Sequence, residues 1–191
     1  MEVYNTGHRI FGENRIQELT AKQQSLPGDI EWHMIGHLQS NKVKYISPFV
    51  NLIHSVDTLN LLEVINKEGK KNNRNIDVLL QIYIADEETK FGLSEPELSN
   101  LLSSPLFASF ENVKVRGLMG MATFTDNEDQ IRLEFRKLSK IFFETKKTFF
   151  KNAGYFCEIS MGMSGDYRIA IEEGSTIIRI GSLIFGERNI K

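Results

Sequence analysis

The chain has 191 residues, 41% hydrophobic and 25% charged, which is enough to bury one sizeable core, and no break in composition marks a second domain. A formal charge of −2 excludes a general basic field for nucleic acid or an anionic membrane. The longest apolar runs are strand-sized and the N-terminus (MEVYNTGHRI) lacks a signal-like pattern, so a cytoplasmic protein forming a single domain over 1–191 is expected.

Glu2 to Thr6, ended by Gly7, read as the tail of a helix closed by glycine. Arg9 to Gly12 predicts a short strand, and Glu13 to Gln24 a helix with Ile16 and Leu19 on one face. Pro27-Gly28-Asp29 is a turn. Ile30 to Ile35 alternates as a strand, and the polar loop Gly36 to Lys42 opens a short helix toward Ile46. Phe49 to His54 is the next strand, ended by Ser55-Val56-Asp57, after which Asp57 or Thr58 caps a helix through Leu61, Leu62 and Ile65. Lys67 to Asn75 reads as a polar surface connection. Asp77 to Ile84 is largely apolar, as in a strand covered on both faces, and Ala85 to Gly92 is the loop after it. Ser94 and Glu97 have capping-box spacing for the following helix. Val113 to Met119 is a strand leading into Gly120-Met121-Ala122-Thr123-Phe124. A long helix from about Asn127 to Phe150 then presents Ile131, Phe135, Leu138, Phe142 and Phe149 as a core stripe.

The chemistry concentrates between Ile159 and Arg188. Cys157, the only cysteine, reads as a small apolar residue entering a strand; being alone, it excludes an internal disulfide and a thiolate metal cluster. Ser160 to Gly165 form a small-residue loop, Asp166 to Glu172 a short helix ended by Gly174, and Ser175 to Ile180 a β-branched strand containing Arg179, followed by Gly181-Ser182. A glycine and a hydroxyl just past each of two successive strands let backbone N–H groups approach an anion. In a (β/α) barrel the loops after the last two strands often hold a phosphate, so a phosphate-bearing ligand is expected. Arg179 then pairs with that phosphate or with a polar atom elsewhere on the ligand.

Seven strands alternate with helices, which favours a parallel wound barrel of the TIM (β/α)8 type, one strand short of closure. The count and the abrupt start predict that the first strand and most of the first helix are the missing part. Among the other candidates, His33 and His37 lie on a strand and its loop, where a spacing of four does not converge on a metal; both read as structural hydrogen-bonding groups. Glu87 and Glu88 are adjacent and point apart, which argues against an acid/base pair. Met119, Met121, Met161 and Met163 read as packing at strand ends.

Several motifs together resemble the pyridoxal-phosphate homeostasis protein family: Phe11-Gly12-Glu13-Asn14 with Gln17-Glu18-Leu19, Trp32 to Lys42, His54-Ser55-Val56-Asp57 and Glu88 to Gly92. Gly117-Leu118-Met119, Ser160 to Asp166, Arg179-Ile180-Gly181 and Ile184 to Arg188 continue the match, in order, over nearly the whole chain. The resemblance implies a barrel similar to the N-terminal domain of alanine racemase, with pyridoxal 5′-phosphate (PLP) at the C-terminal ends of its strands. It implies Arg179 at the pyridine nitrogen, Ser164, Gly181 and Ser182 at the phosphate, and Asn14 beside the ring. It also implies a non-catalytic role in PLP homeostasis, with PLP-dependent apo-enzymes as recipients. Family members hold PLP as a Schiff base on a lysine of the first strand, within a Ser-Lys-Thr-like motif that this chain does not contain. Lys90 is the candidate for a secondary PLP lysine. The alternatives are a racemase-like PLP enzyme and a non-binding remnant, and the missing strand predicts self-association through unpaired sheet edges.

Overall fold

A computed structural model describes residues 1–85 and 91–186. Seven strands, all parallel, lie in one sheet in chain order: β1 (Ile10–Glu13), β2 (Glu31–Met34), β3 (Leu52–Val56), β4 (Ile76–Gln81), β5 (Val113–Met119), β6 (Glu158–Met163) and β7 (Ile177–Arg179). The helices are α1 (Glu2–Asn5), α2 (Ile16–Ser25), α3 (Leu59–Lys71), α4 (Glu95–Leu102), α5 (Pro105–Ala108), α6 (Glu128–Phe149), α7 (Tyr167–Glu172) and α8 (Ser182–Phe185), with a 3₁₀ helix over Ser40–Tyr45. A parallel strand must be followed by a crossover outside the sheet, and here each crossover between successive strands contains a helix. The sheet curls into a nearly closed (β/α) barrel whose edges, among the described residues, are β1 and β7.

The main core lies between the sheet and its helices, with Leu19, Leu62, Ile65, Phe135, Leu138 and Phe156 among its buried members. A second, smaller apolar cluster of Leu52, Leu79 and Met119, joined by Met121 and Ile177, comes from the opposite face of the strands. With both faces covered, strands lose simple alternation: Trp32, His33 and Met34 are all buried, as is all of β3.

Local signals account for several boundaries. Gly7 adopts φ +96° after α1. Thr58 caps α3 by accepting from Leu61 N–H at 3.2 Å, and Ser94 with Glu97 forms a full capping box on α4. Other boundaries differ from expectation. α2 starts at Ile16 rather than Glu13, because Glu13 continues β1 opposite Met34 and its buried carboxylate pairs with Lys22. β3 starts at Leu52 rather than Phe49, since Phe49 and Val50 still bond back to Ile46 O. α3 runs through much of the polar stretch from Lys67 because Gly69 lies on its buried face, where an added Cβ would meet Asn112 O at 2.8 Å. β6 extends to Met163, so Ser160 is a strand residue and not a loop residue. In α6, Phe149 is 37% exposed, while Ile141 and Thr145 complete the buried stripe.

β5 and β6 approach closely at Gly117, which pairs with Glu158; a Cβ there would lie 1.8 Å from Glu158 O. Gly117→Ala is therefore expected to cost about 3 kcal/mol or more in urea unfolding. Gly154→Ala, where an added Cβ meets nothing within 4 Å, should shift stability by less than about 0.5 kcal/mol.

Candidate functional site at the strand ends

Parallel pairing brings the C-terminal ends of all strands to one rim, and side chains two apart on a strand share a face. The inner face therefore carries an apolar layer, Leu52, Leu79, Met119 and Ile177, and two residues further along the chain His54, Gln81 and Arg179 on their strands and Met121 just past β5. The second layer holds most of the polar groups facing the rim.

Arg179, at the end of β7, donates to Ser160 Oγ at 2.6 Å and to Gly120 O at 3.2 Å. Both partners are neutral, and among the described residues it forms no salt bridge. Burial lowers its pKa to about 10, opposed by the charge of Asp166. Arg179 is thus a cation at neutral pH, held by neutral acceptors. Beyond Ser160, His54 Nδ1 lies 2.9 Å from Ser160 Oγ, and His54 Nε2 lies 3.1 Å from His33 Nδ1. His54 and Ser160 are fully buried, and His33 nearly so. Burial lowers the His33 pKa to about 4, with Glu158 acting the other way. His54 is held well below its ordinary value by burial, and then by His33 and Arg179.

Past the strand ends, Ser164 Oγ accepts from Gly181 N–H at 3.3 Å and Leu183 N–H at 3.4 Å. Two long bonds on one hydroxyl leave these N–H groups able to turn to an anionic oxygen, and an added Cβ on Gly181 would meet nothing within 4 Å. The donor set therefore suits a phosphate, and the nearby guanidinium suits a polar atom further along the same ligand. Asp166 closes the turn by accepting from Met163 N–H at 2.5 Å.

The expected residues are only partly brought together. Ser164 and Gly181 meet directly, with Arg179 two residues earlier; Ser182 opens α8 and is exposed. Asn14 is exposed at the end of β1, the opposite edge of the sheet. Its backbone supports the next loop: a Cβ on Gly36 would lie 2.3 Å from Asn14 O, and Gly36 O accepts from Ser55 Oγ at 2.5 Å. Lys90, Glu87 and Glu88 lie outside the described residues. His33 takes part in a buried hydrogen bond, whereas His37 is exposed and stacks on Phe91 at 4.5 Å. Cys157 is only half-buried, near Glu158 and Tyr155 O. Leu183 N–H carries no composition or spacing signal, and His54, although it opens the motif His54-Ser55-Val56-Asp57, receives no site role from it; a histidine inside the strand Leu52–Val56 was the other cue.

The family model for "Alanine racemase, N-terminal domain" matches residues 1–189. A pyridoxal phosphate homeostasis protein of Aquifex aeolicus is 45% identical over 98% of the chain and 80% of its own length. A Helicobacter pylori protein of the same name is 40% identical over 96% of the chain and 80% of its own length. Among solved structures, PipY of Synechococcus elongatus with PLP bound superposes with a TM-score of 0.85 at 33% identity, over 97% of this chain and 85% of that one. Alanine racemase from Bartonella henselae, at 15% identity and a TM-score of 0.66 over 98% of this chain and 50% of that one, shares the fold. No helix among the described residues is long and apolar enough to cross a membrane.

The buried histidines give stability a definite pH dependence. Unfolded histidines titrate near 6.5, and His33 in the fold near 4, so in this window the unfolded chain binds more protons. Stability should fall as pH drops from 6.5 towards 4, with His33 accounting for on the order of 3 kcal/mol and His54 adding in the same direction. Urea unfolding across this range checks it, and His33→Leu should flatten the slope.

Proposed function

Because the chain belongs to the alanine racemase N-terminal-domain family, and within it to the pyridoxal phosphate homeostasis proteins, we propose that it binds PLP at the strand ends and takes part in PLP homeostasis without turnover. The observation that carries this reading is the pairing of an anion-ready donor set, Gly181 and Leu183 N–H around Ser164 Oγ, with the Arg179 cation held by neutral acceptors. When bound, PLP supplies a phosphate dianion and an electron-accepting pyridine ring.

In this reading Ser164, Gly181 and Ser182 hold the phosphate, Arg179 donates toward the pyridine nitrogen, Asn14 lies beside the ring, and Lys90 is the secondary PLP lysine, whose primary amine can take the aldehyde. A guanidinium that is charged at neutral pH disfavours protonation of the ring nitrogen and so weakens the ring as an electron sink. This favours storage and delivery, with PLP-dependent apo-enzymes as recipients, over carbanion chemistry.

Titration of the purified chain with PLP should show saturable 1:1 binding. Arg179→Ala should weaken it by about ten- to a hundredfold, the worth of a charge-assisted hydrogen bond. L-alanine in D2O should show no exchange of its α-proton; measurable exchange would overturn the non-catalytic part. β1 and β7 each pair on one side only among the described residues, and the reading includes self-association through these edges. Sedimentation should show a species larger than the monomer at micromolar concentration, and a strict monomer would remove that part.

A further inference from the structure

The contacts from Arg179 to His33 form a chain with a direction. Arginine only donates, so Arg179 fixes Ser160 Oγ as an acceptor at 2.6 Å. The Ser160 hydroxyl hydrogen must then go elsewhere, and the hydroxyl is fully buried. Its other described neighbour at hydrogen-bond distance is His54 Nδ1, at 2.9 Å. If Nδ1 carried a hydrogen, the buried Ser160 O–H would have no acceptor, a costly state inside a protein. His54 Nδ1 is therefore bare, its hydrogen sits on Nε2, and that hydrogen is donated to His33 Nδ1 at 3.1 Å. The order of donation is Arg179, Ser160, His54, His33, running from β7 through β6 and β3 to β2.

A hydroxyl bound on one side only can rotate its hydrogen to face the guanidinium or swing away from it. With His54 accepting, a lone pair of Ser160 stays turned to Arg179, and Gly120 O fixes the other terminal nitrogen at 3.2 Å. Two anchors, Ser160 on β6 and Gly120 just past β5, set the plane of the guanidinium and so the direction of its remaining N–H groups. We infer that His54, acting through Ser160, is a positioning residue that orients Arg179 towards the ring end of the bound ligand. This rests on the PLP reading for the identity of that ligand, but the order of donation does not depend on it.

The test has two parts. In the ligand-free chain at neutral pH, long-range ¹H–¹⁵N NMR should show His54 protonated at Nε2 and bare at Nδ1; a protonated Nδ1 would overturn the inference. The second part compares affinity for PLP with affinity for benzyl phosphate, which keeps the phosphate and a ring but has no ring nitrogen. Ser160→Ala and His54→Leu should each weaken PLP by about tenfold, a hydrogen bond's worth, and leave benzyl phosphate unchanged. Ser160→Thr restores the hydroxyl, and His54→Asn places a carboxamide oxygen near the position of Nδ1; both should stay within about threefold of the parent. A role in packing alone predicts that the apolar His54→Leu binds at least as well as His54→Asn, and that result would overturn the inference. Equal loss of both ligands would also overturn it, since the rim itself would then have collapsed. If His54→Leu does not fold, the Ser160→Ala and Ser160→Thr pair decides. If the parent binds neither compound, the PLP reading fails, and the NMR result alone decides the order of donation.

Discussion

The parallel ladder is the constraint from which the rest of the structure follows. Seven strands in sequence order, each hydrogen-bonded to the next, force the chain to return outside the sheet after each strand. The returns cover the outer face with helices, and curvature closes the inner face around its own side chains. The same rule brings every strand end to one rim. The ladder also needs close backbone approach at particular points. At Gly117 against Glu158, and at Gly36 against Asn14, a Cβ would collide with backbone atoms, so glycine there is set by neighbouring strands and loops.

Within that frame the inner face separates chemistry by depth. Leu52, Leu79, Met119 and Ile177 make an apolar floor, and two residues later His54, Gln81 and Arg179 make a polar layer beneath the rim. Burying a guanidinium against neutral groups alone is unfavourable relative to water, and the lowered pKa of Arg179 expresses that cost. The histidines answer the same burial by staying neutral, which lets them relay hydrogen bonds without adding positive charge next to Arg179. The loops past β6 and β7 are arranged differently: backbone N–H groups of Gly181 and Leu183 offer partial charge there, and the Ser164 hydroxyl holds them in place.

Much of the architecture was legible in the sequence because its causes are local. The strand Val113–Met119, the start of α6 beside Asn127, the Ser94/Glu97 capping box and the Gly174 stop each depend on residues within a turn of one another. Errors arose where a local signal met a distant partner. Glu13 looks like a first-turn helical carboxylate, but strand pairing with Met34 keeps it in β1. The polar run from Lys67 looks like a loop, yet it continues α3 because Gly69 fits against the Asn112 backbone. Ser160 looks like part of a small-residue loop, and pairing with Met119 on one side and Ile177 on the other makes it a strand residue.

The same division holds for the site. By itself the sequence determined the fold class, the order of the strands, and the phosphate-ready pairing of small residues after the last two of them, because periodicity, caps and glycine placement act over a few residues. It also carried the long motifs that mark the family. Only the tertiary structure decided what Arg179 touches, that Leu183 N–H joins Gly181 at Ser164, and that His54 reaches Ser160. His54 and Ser160 are 106 residues apart in the chain and 2.9 Å apart in space. A contact of that span is created by the curl of the sheet, to which no local pattern of residues is sensitive.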